Sequence, residues 1–264
     1  MRSSYTLRKK VSGGITYTYR RSFYETHNFS FDFDKGTITD TIKALNPNYY
    51  TNGNTSQWYT SLSYNFISEH RDVIAYPLKG YMISVGIRQL GLGFGESVKQ
   101  TIISANAAFH KDLGKNFYLS NNTIAYWSNP DSQPYALYYG MGYKRTFVRG
   151  YEIYVIEGPL WALNKTTVKR RILQRTYRLS AMPWERFQHF PLAIYLKAYA
   201  DVGYVKNFPA YAEKNLNTLY VNRLIGGTGV GFDFVTAYDG VFRIEYTRNR
   251  EGAQGFFFHI KKEF

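Results

Sequence analysis

Gly80-Tyr81-Met82-Ile83-Ser84-Val85-Gly86-Ile87-Arg88 decides the reading of this chain. Tyr81, Ile83, Val85 and Ile87 alternate with Met82, Ser84, Gly86 and Arg88. A period of two with one apolar face is what successive side chains of a β-strand produce, because they point to opposite sides of the sheet. The pattern recurs in both directions. Upstream, Ile15, Tyr17 and Tyr19 oppose Thr16, Thr18 and Arg20, and Trp58, Thr60, Leu62, Tyr64 and Phe66 oppose Tyr59, Ser61, Ser63 and Asn65. Downstream, Ile103, Ala105, Ala107 and Phe109 oppose Ser104, Asn106 and His110, and looser runs cover Phe117 to Trp127 and Leu160 to Leu173. Ile194, Leu196, Ala198, Ala200 and Val202 then oppose Tyr195, Lys197, Tyr199 and Asp201, before three final runs from Asn222 to Val235, Val241 to Asn249 and Gly255 to Phe264. With a first strand near Tyr5 to Val11, the pattern predicts an all-β chain of about eleven or twelve strands.

Composition narrows the class to an antiparallel transmembrane β-barrel. Aromatic residues make up 19% of the chain, with 26 Tyr and 19 Phe against 4 Met. Such enrichment fits strands that end in aromatic girdles at two membrane interfaces. No apolar run reaches the roughly 18 residues of a membrane-crossing helix, which leaves a barrel open, since barrel strands need only about ten residues of alternating character. The chain lacks Cys, which excludes disulfides and thiolate metal sites. A net charge of +14 is spread along the whole sequence. That spread argues against nucleic acid as a partner and favours a basic lumen or rims that face anionic outer-membrane lipids.

The connections alternate in length. Short links are expected at Ser12-Gly13, Leu113 to Lys115 and Ala237 to Gly240, and long polar ones at Glu25 to Ser56, Asn129 to Pro159 and Lys206 to Tyr220. Long loops at one end and short turns at the other are the habit of outer-membrane barrels. Two links break the rule: Gln174 to Leu192, with Pro183, Trp184 and Pro191, is long on the inner side, and Arg250 to Gln254 is short on the outer side. Nothing marks a domain boundary, so residues 1–264 read as one barrel domain. The first ten residues have no apolar core and do not form a secretory signal, so an outer-membrane protein with this sequence is expected to start upstream.

Catalytic chemistry finds no foothold. His27, His70, His110, His189 and His259 are scattered without metal-ligand spacing, and no nucleophile–base set stands out. We therefore expect no enzyme activity, no catalytic residue, no metal and no cofactor. Gly226-Gly227-Thr228-Gly229-Val230-Gly231 lacks the Lys and the helix of a phosphate loop and sits in a strand, where it would let a neighbouring backbone approach.

One loop stands out. Val148-Arg149-Gly150-Tyr151, preceded by Gly140, Gly142 and Tyr143, resembles the loop motif of the BamA-like outer-membrane assembly and translocation superfamily, the bacterial surface antigen barrels. Three more stretches match that family in order: Arg71-Asp72-Val73 with Pro77 and Gly80, Ala200-Asp201-Val202-Gly203, and the aromatic ending with Phe256, Phe258, Ile260 and Phe264 on one face. The resemblance covers nearly everything from Trp58 onward and implies the C-terminal part of a barrel of about 16 strands. It implies that Arg149 folds into the lumen against wall carboxylates, that Asp201 is such a partner, and that Gly150 and Tyr151 shape and pack the tip. Arg71 and Asp72 are expected to form a local turn or rim pair, with Asp72 able to accept backbone N–H groups and Pro77 setting the approach to the strand. The family often carries a second acidic wall residue where this chain has Thr167, so the resemblance leaves Asp201 as the one acidic partner and gives no role to Lys169-Arg170-Arg171. The function implied is insertion or translocation of nascent outer-membrane proteins through a seam at the last strand, with periplasmic accessory proteins as further partners. A passive transport barrel or a membrane anchor for an upstream hydrolase is the alternative.

Overall fold

The computed structural model describes residues 7–178, 189–236 and 239–260. Eleven strands form one antiparallel sheet: β1 (Arg8–Arg20), β2 (Glu25–Ile38), β3 (Ser56–Glu69), β4 (Gly80–Leu90), β5 (Gln100–Gly114), β6 (Phe117–Asn129), β9 (Leu160–Arg178), β10 (His189–Lys206), β11 (Leu224–Thr236), β12 (Val241–Asn249) and β13 (Gln254–Ile260). Each strand pairs with its neighbours in chain order. A separate ribbon of β7 (Gly140–Met141) and β8 (Ile156–Glu157) sits inside the long connection between β6 and β9.

The two faces of the sheet are inverted relative to a water-soluble domain. Ile83, Val85, Leu196, Val202 and Val230 point outward and are 41–52% exposed, whereas Lys169, Lys197, Asp201, Asp233 and Glu245 point inward and are 0–5% exposed. Charged residues are seldom so buried unless paired, and an apolar outer face with a polar interior is the pattern of a barrel whose outside meets hydrocarbon. The connections 21–24, 70–79 and 115–116 lie at one end, and 39–55, 91–99, 130–159, 207–223 and 250–253 at the other.

Several boundaries differ from the sequence reading. Ser12-Gly13 is no turn: β1 runs straight through it, with Ser12 opposite Asp34 and Gly13 opposite Phe33. Asp34 holds this stretch flat by accepting the Ser12 hydroxyl at 2.6 Å and pairing with Lys10 at 2.9 Å. Residues 25–38, expected to belong to a loop, form β2. Phe29, Phe31 and Phe33 alternate outward while Asp34 is buried, a period-two pattern masked by polar flanks. One turn too many and one strand too few cancel, so the sheet still has eleven strands. The long link expected at Gln174 to Leu192 is strand at both of its described ends: β9 continues to Arg178, β10 begins at His189, and Pro191 sits within the ladder opposite Thr176. Pro183, Trp184 and Phe264 lie outside the described residues.

No tight turn sets the register of β6 against β9, because residues 130–159 intervene. Side chains set it instead. Asn121 and Asn164 exchange amide hydrogen bonds at 3.1 Å each, and Thr166 and Thr123 take up the remaining donors at 2.8 and 2.7 Å. This outward polar cluster satisfies its own hydrogen bonds, as a lipid-facing position demands.

Two apolar clusters pack within the lumen. Val148, Tyr151, Met141 and Ile156 of the long loop pack on Tyr126, Trp161, Leu163, Val205 and Ile225 of the wall. At the other end Tyr76 packs with Tyr118, Tyr195 and Val241.

Candidate functional site: a lumenal latch

The connection 130–159 turns back into the barrel because its base is braced and its tip is apolar. Gly140 pairs with Glu157 at the base, and Tyr151 donates its N–H to the Val148 carbonyl at 3.0 Å to close the tip. Val148 and Tyr151 are each 1% exposed, so the tip is driven inside by burial. Gly150 has φ +90°, a conformation that L side chains resist, and a Cβ there would stand 3.0 Å from Asn249. Its carbonyl accepts from the Asn249 amide at 3.1 Å, and its N–H donates to Glu152 at 2.8 Å.

Arg149 projects from this tip into the wall. Its Nε donates to Asp201 Oδ2 at 2.8 Å and its Nη2 to Asp201 Oδ1 at 2.6 Å, a two-point contact that a guanidinium fork matches to a carboxylate. The Arg149 backbone N–H adds a third bond to Asp201 Oδ2 at 3.1 Å. Nη2 also donates to Thr167 Oγ1 at 3.0 Å, and the guanidinium lies 3.6 Å over the Tyr199 ring.

The wall has made room for the loop. A Cβ on Gly203 would stand 2.7 Å from the Val148 side chain, and one on Gly227 would stand 1.8 Å from the Arg149 carbonyl oxygen. Within the run Gly226 to Gly231, Gly227 is thus the position at which the loop backbone meets the strand.

Asp201 is joined by a second carboxylate. Glu245 on β12 lies 3.4 Å from Arg149 Nη1, so the expectation of Asp201 as the one acidic partner is corrected: Thr167 supplies a hydroxyl, and the further negative charge comes from three strands along the sheet. Glu245 also pairs with Lys197 at 3.0 Å and with His259 of β13 at 3.4 Å. Lys197 bridges to Asp233, which Arg243 approaches at 3.5 Å. Buried charges survive only when paired in this way. The basic triplet on β9 divides by parity. Lys169 points inward and lies 4.1 Å over the Tyr76 ring, Arg170 points outward 5.2 Å over Phe117, and Arg171 donates to Asn116 at 2.7 Å.

The turn motif is placed elsewhere, at the opposite end of the barrel. Arg71 does not pair with Asp72, as a rim pair would require, but with Glu69 through bonds of 2.7 and 2.5 Å. The turn half of the expectation holds: Asp72 accepts the backbone N–H groups of Val73 at 2.9 Å and Leu78 at 3.0 Å. Short acidic side chains favour such turns because they substitute for a missing backbone acceptor. Pro77 is buried, and Gly80 has φ +96°, where a Cβ would collide with the His70 carbonyl. Phe256, Phe258 and Ile260 of β13 face outward, 68–71% exposed, away from the latch.

No protein-family model matches the sequence, and no curated protein matches it. Among solved structures, the crystal structure of BamA from Haemophilus ducreyi lacking POTRA domains 1–3 superposes with a TM-score of 0.66. The fold is that of the BamA barrel. The superposition covers 97% of this chain and 53% of that one, at 12% sequence identity. The chain therefore spans about half the length of the BamA structure it matches.

Sequence reasoning passed over Glu245, Tyr199, Asp233 and Tyr76 as site residues. The first three were within reach of the rule that selected Asp201, since each lies on the inward parity of its strand. Tyr76 carries no such signal, because a turn has no period.

Proposed function

We propose that this chain forms wall and latch of an outer-membrane β-barrel of the BamA-like superfamily in a Gram-negative bacterium, which assists insertion or translocation of envelope proteins through a lateral seam. The observation that carries the reading is the Arg149 loop folded into the lumen with its two-point contact to Asp201. In such a barrel β13 forms one lip of the seam, and a client strand adds to that edge through backbone hydrogen bonds. The work is done by strand pairing, so the reading needs no enzyme activity, cofactor or nucleic acid. Its partners are outer-membrane lipids, nascent outer-membrane proteins and periplasmic accessory proteins. Bacteria that depend on the full-length protein test this: Arg149→Ala and Asp201→Asn are expected to leave folded barrel in the membrane while lowering the yield of assembled or exported client proteins. Full yield from both variants would sink the proposal.

A second reading, a passive transport barrel, is favoured by one feature. A cavity of about 480 Å³ lies between the loop segment 136–139 and the inner faces of β3, β4 and β5. Steady ion conductance in planar bilayers, unaltered by Arg149→Ala and unaccompanied by any effect on client proteins, would favour it. An anchor for an upstream hydrolase predicts neither conductance nor a client defect.

A further inference from the structure

The connection 70–79 at the short-turn end does something an ordinary turn does not. Turns normally run over the surface with their polar groups in water. Here Asp72 gathers the N–H groups of Val73 and Leu78, closing the segment into a tight loop whose far side enters the lumen. Ala75 is 3% and Tyr76 4% exposed, whereas the flanking Val73 and Ile74 are 48% and 54% exposed. The Tyr76 ring packs on Tyr195 with centroids 4.9 Å apart and takes the Lys169 ammonium on its face. Its hydroxyl donates to Asp233 Oδ2 at 2.9 Å, a buried contact between residues 157 positions apart in sequence.

We propose that this turn is a second inward latch, and that Tyr76 is a positioning residue for the Arg149 loop at the opposite end of the barrel. A continuous line of contacts joins them. Asp233 holds Lys197 through its other oxygen, Lys197 Nζ lies 3.0 Å from Glu245 Oε1, and that same oxygen lies 3.4 Å from Arg149 Nη1. Every link is a charged or charge-assisted contact between groups at most 9% exposed. In a medium of low effective dielectric such groups answer strongly to the loss of a neighbour.

Each group in the line is held in place by its neighbours. Without the Tyr76 hydroxyl, Asp233 loses the contact that fixes it against the turn, and although Arg243 stays 3.5 Å away, the Lys197 ammonium that Asp233 holds is less firmly placed. Glu245 then loses a fixed neighbour, and the guanidinium beside it is held less firmly in its turn. The outer tip loosens because the inner turn has changed. Coupling between two sites is mutual, so loss of Arg149 must loosen the turn in return. This device lies within the barrel and stands apart from whatever cargo the barrel handles.

The absence of Cys allows a single nitroxide label at Ile153→Cys, beside the outer tip, or at Ile74→Cys, on the inner turn, both exposed positions. Labelled full-length protein is folded into liposomes, and the ratio of mobile to immobile spectral components is read. Tyr76→Phe keeps the ring, its packing and the cation contact, and removes only the hydroxyl. It is expected to raise the ratio at Ile153→Cys about fivefold or more, and Arg149→Ala to do the same at Ile74→Cys. If each substitution loosens only its own end, or neither moves the distant label, the two insertions are independent and the proposal is overturned. A distant effect in one direction without its reciprocal overturns it as well.

Discussion

Along β9 to β12 the polar inward side chains include Lys165, Thr167, Lys169, Lys197, Tyr199, Asp201, Asp233 and Glu245; along β3 to β6 they include Ser61, Ser63, Asn65, Ser84, Ser104, Ser120 and Asn122. Both sets are polar and both face the lumen, yet only the first is filled by the loop. Charges on one wall oblige something to come and pair with them, since an uncompensated buried ion is far more costly than an unfilled polar surface. The other wall is mostly small neutral groups, and its inward Arg88 is already paired with Asp32 and Asp34 of β2 at 3.7 and 3.6 Å, so no such demand is left on the loop and the cavity of about 480 Å³ remains beside it. The latch is therefore specified as much by the wall as by the loop.

The largest expected difference between the walls comes from deleting one charge. Asp201→Ala strands Arg149 and is expected to cost about 3–5 kcal/mol in urea unfolding of the folded barrel, against less than about 0.5 kcal/mol for Ser104→Ala on the neutral wall. Similar losses at both would erase the distinction. A comparison of outward and inward faces comes next. Leu196→Arg, on the outer face near mid-strand, is expected to cost about 2–4 kcal/mol of membrane folding stability. Ser63→Arg, which points into the cavity, is expected to insert normally, and equal losses would contradict the assignment of faces.

Glycines sharpen the contrast at a smaller scale. Gly227→Ala drives a methyl group into the Arg149 carbonyl, whereas a methyl on Gly86 meets the Ser104 and Asn65 side chains, which can rotate away. Overpacking against backbone is expected to cost about 1–3 kcal/mol, visible as a lower unfolding midpoint for Gly227→Ala and little change for Gly86→Ala.

Smallest is an effect on the loop 91–99. The Glu96 carboxylate takes the Thr60 hydroxyl and the N–H groups of Leu92, Gly93 and Phe94, and the Thr60 hydroxyl, aided by the backbone N–H groups of Glu96 itself, Leu92 and Thr60, brings its pKa down to about 2. A depressed carboxylate contributes order above its ordinary pKa and loses it as pH falls through the folded value. Proteolysis of this loop is therefore expected to stay slow at mildly acidic pH and quicken near pH 2. Glu96→Gln is expected to be cut quickly at every pH, and no difference between the two proteins would remove this role.

Much of the fold was legible because a barrel wall repeats one rule. Period-two alternation found β4, β10 and the parity of Asp201 from residues such as Ile83 and Leu196 alone. It failed where local polarity masked the period, as in Asp32-Phe33-Asp34-Lys35 of β2, and where Ser12-Gly13 imitated a turn that the Asp34 side chain holds extended. The site was legible only as far as the resemblance of the Val148-Arg149-Gly150-Tyr151 loop and the parity of Asp201 reach. Arg149 and Asp201 could be named, but the meeting of Glu245 with Arg149 depends on the curvature of the whole sheet, and the inward fold of Tyr76 on contacts 157 positions away in sequence.

The central claim is that the tip of the long loop lies inside the wall and that Arg149 keeps it there. Val148→Cys with Gly203→Cys tests it most directly, because the Val148 side chain rests where a Gly203 side chain would begin and the chain has no other Cys. In membranes under mild oxidation the pair is predicted to form an internal disulfide rapidly, and more slowly when Arg149→Ala is added. A pair that stays reduced and reacts with a membrane-impermeant maleimide from outside would show that the tip does not occupy the lumen.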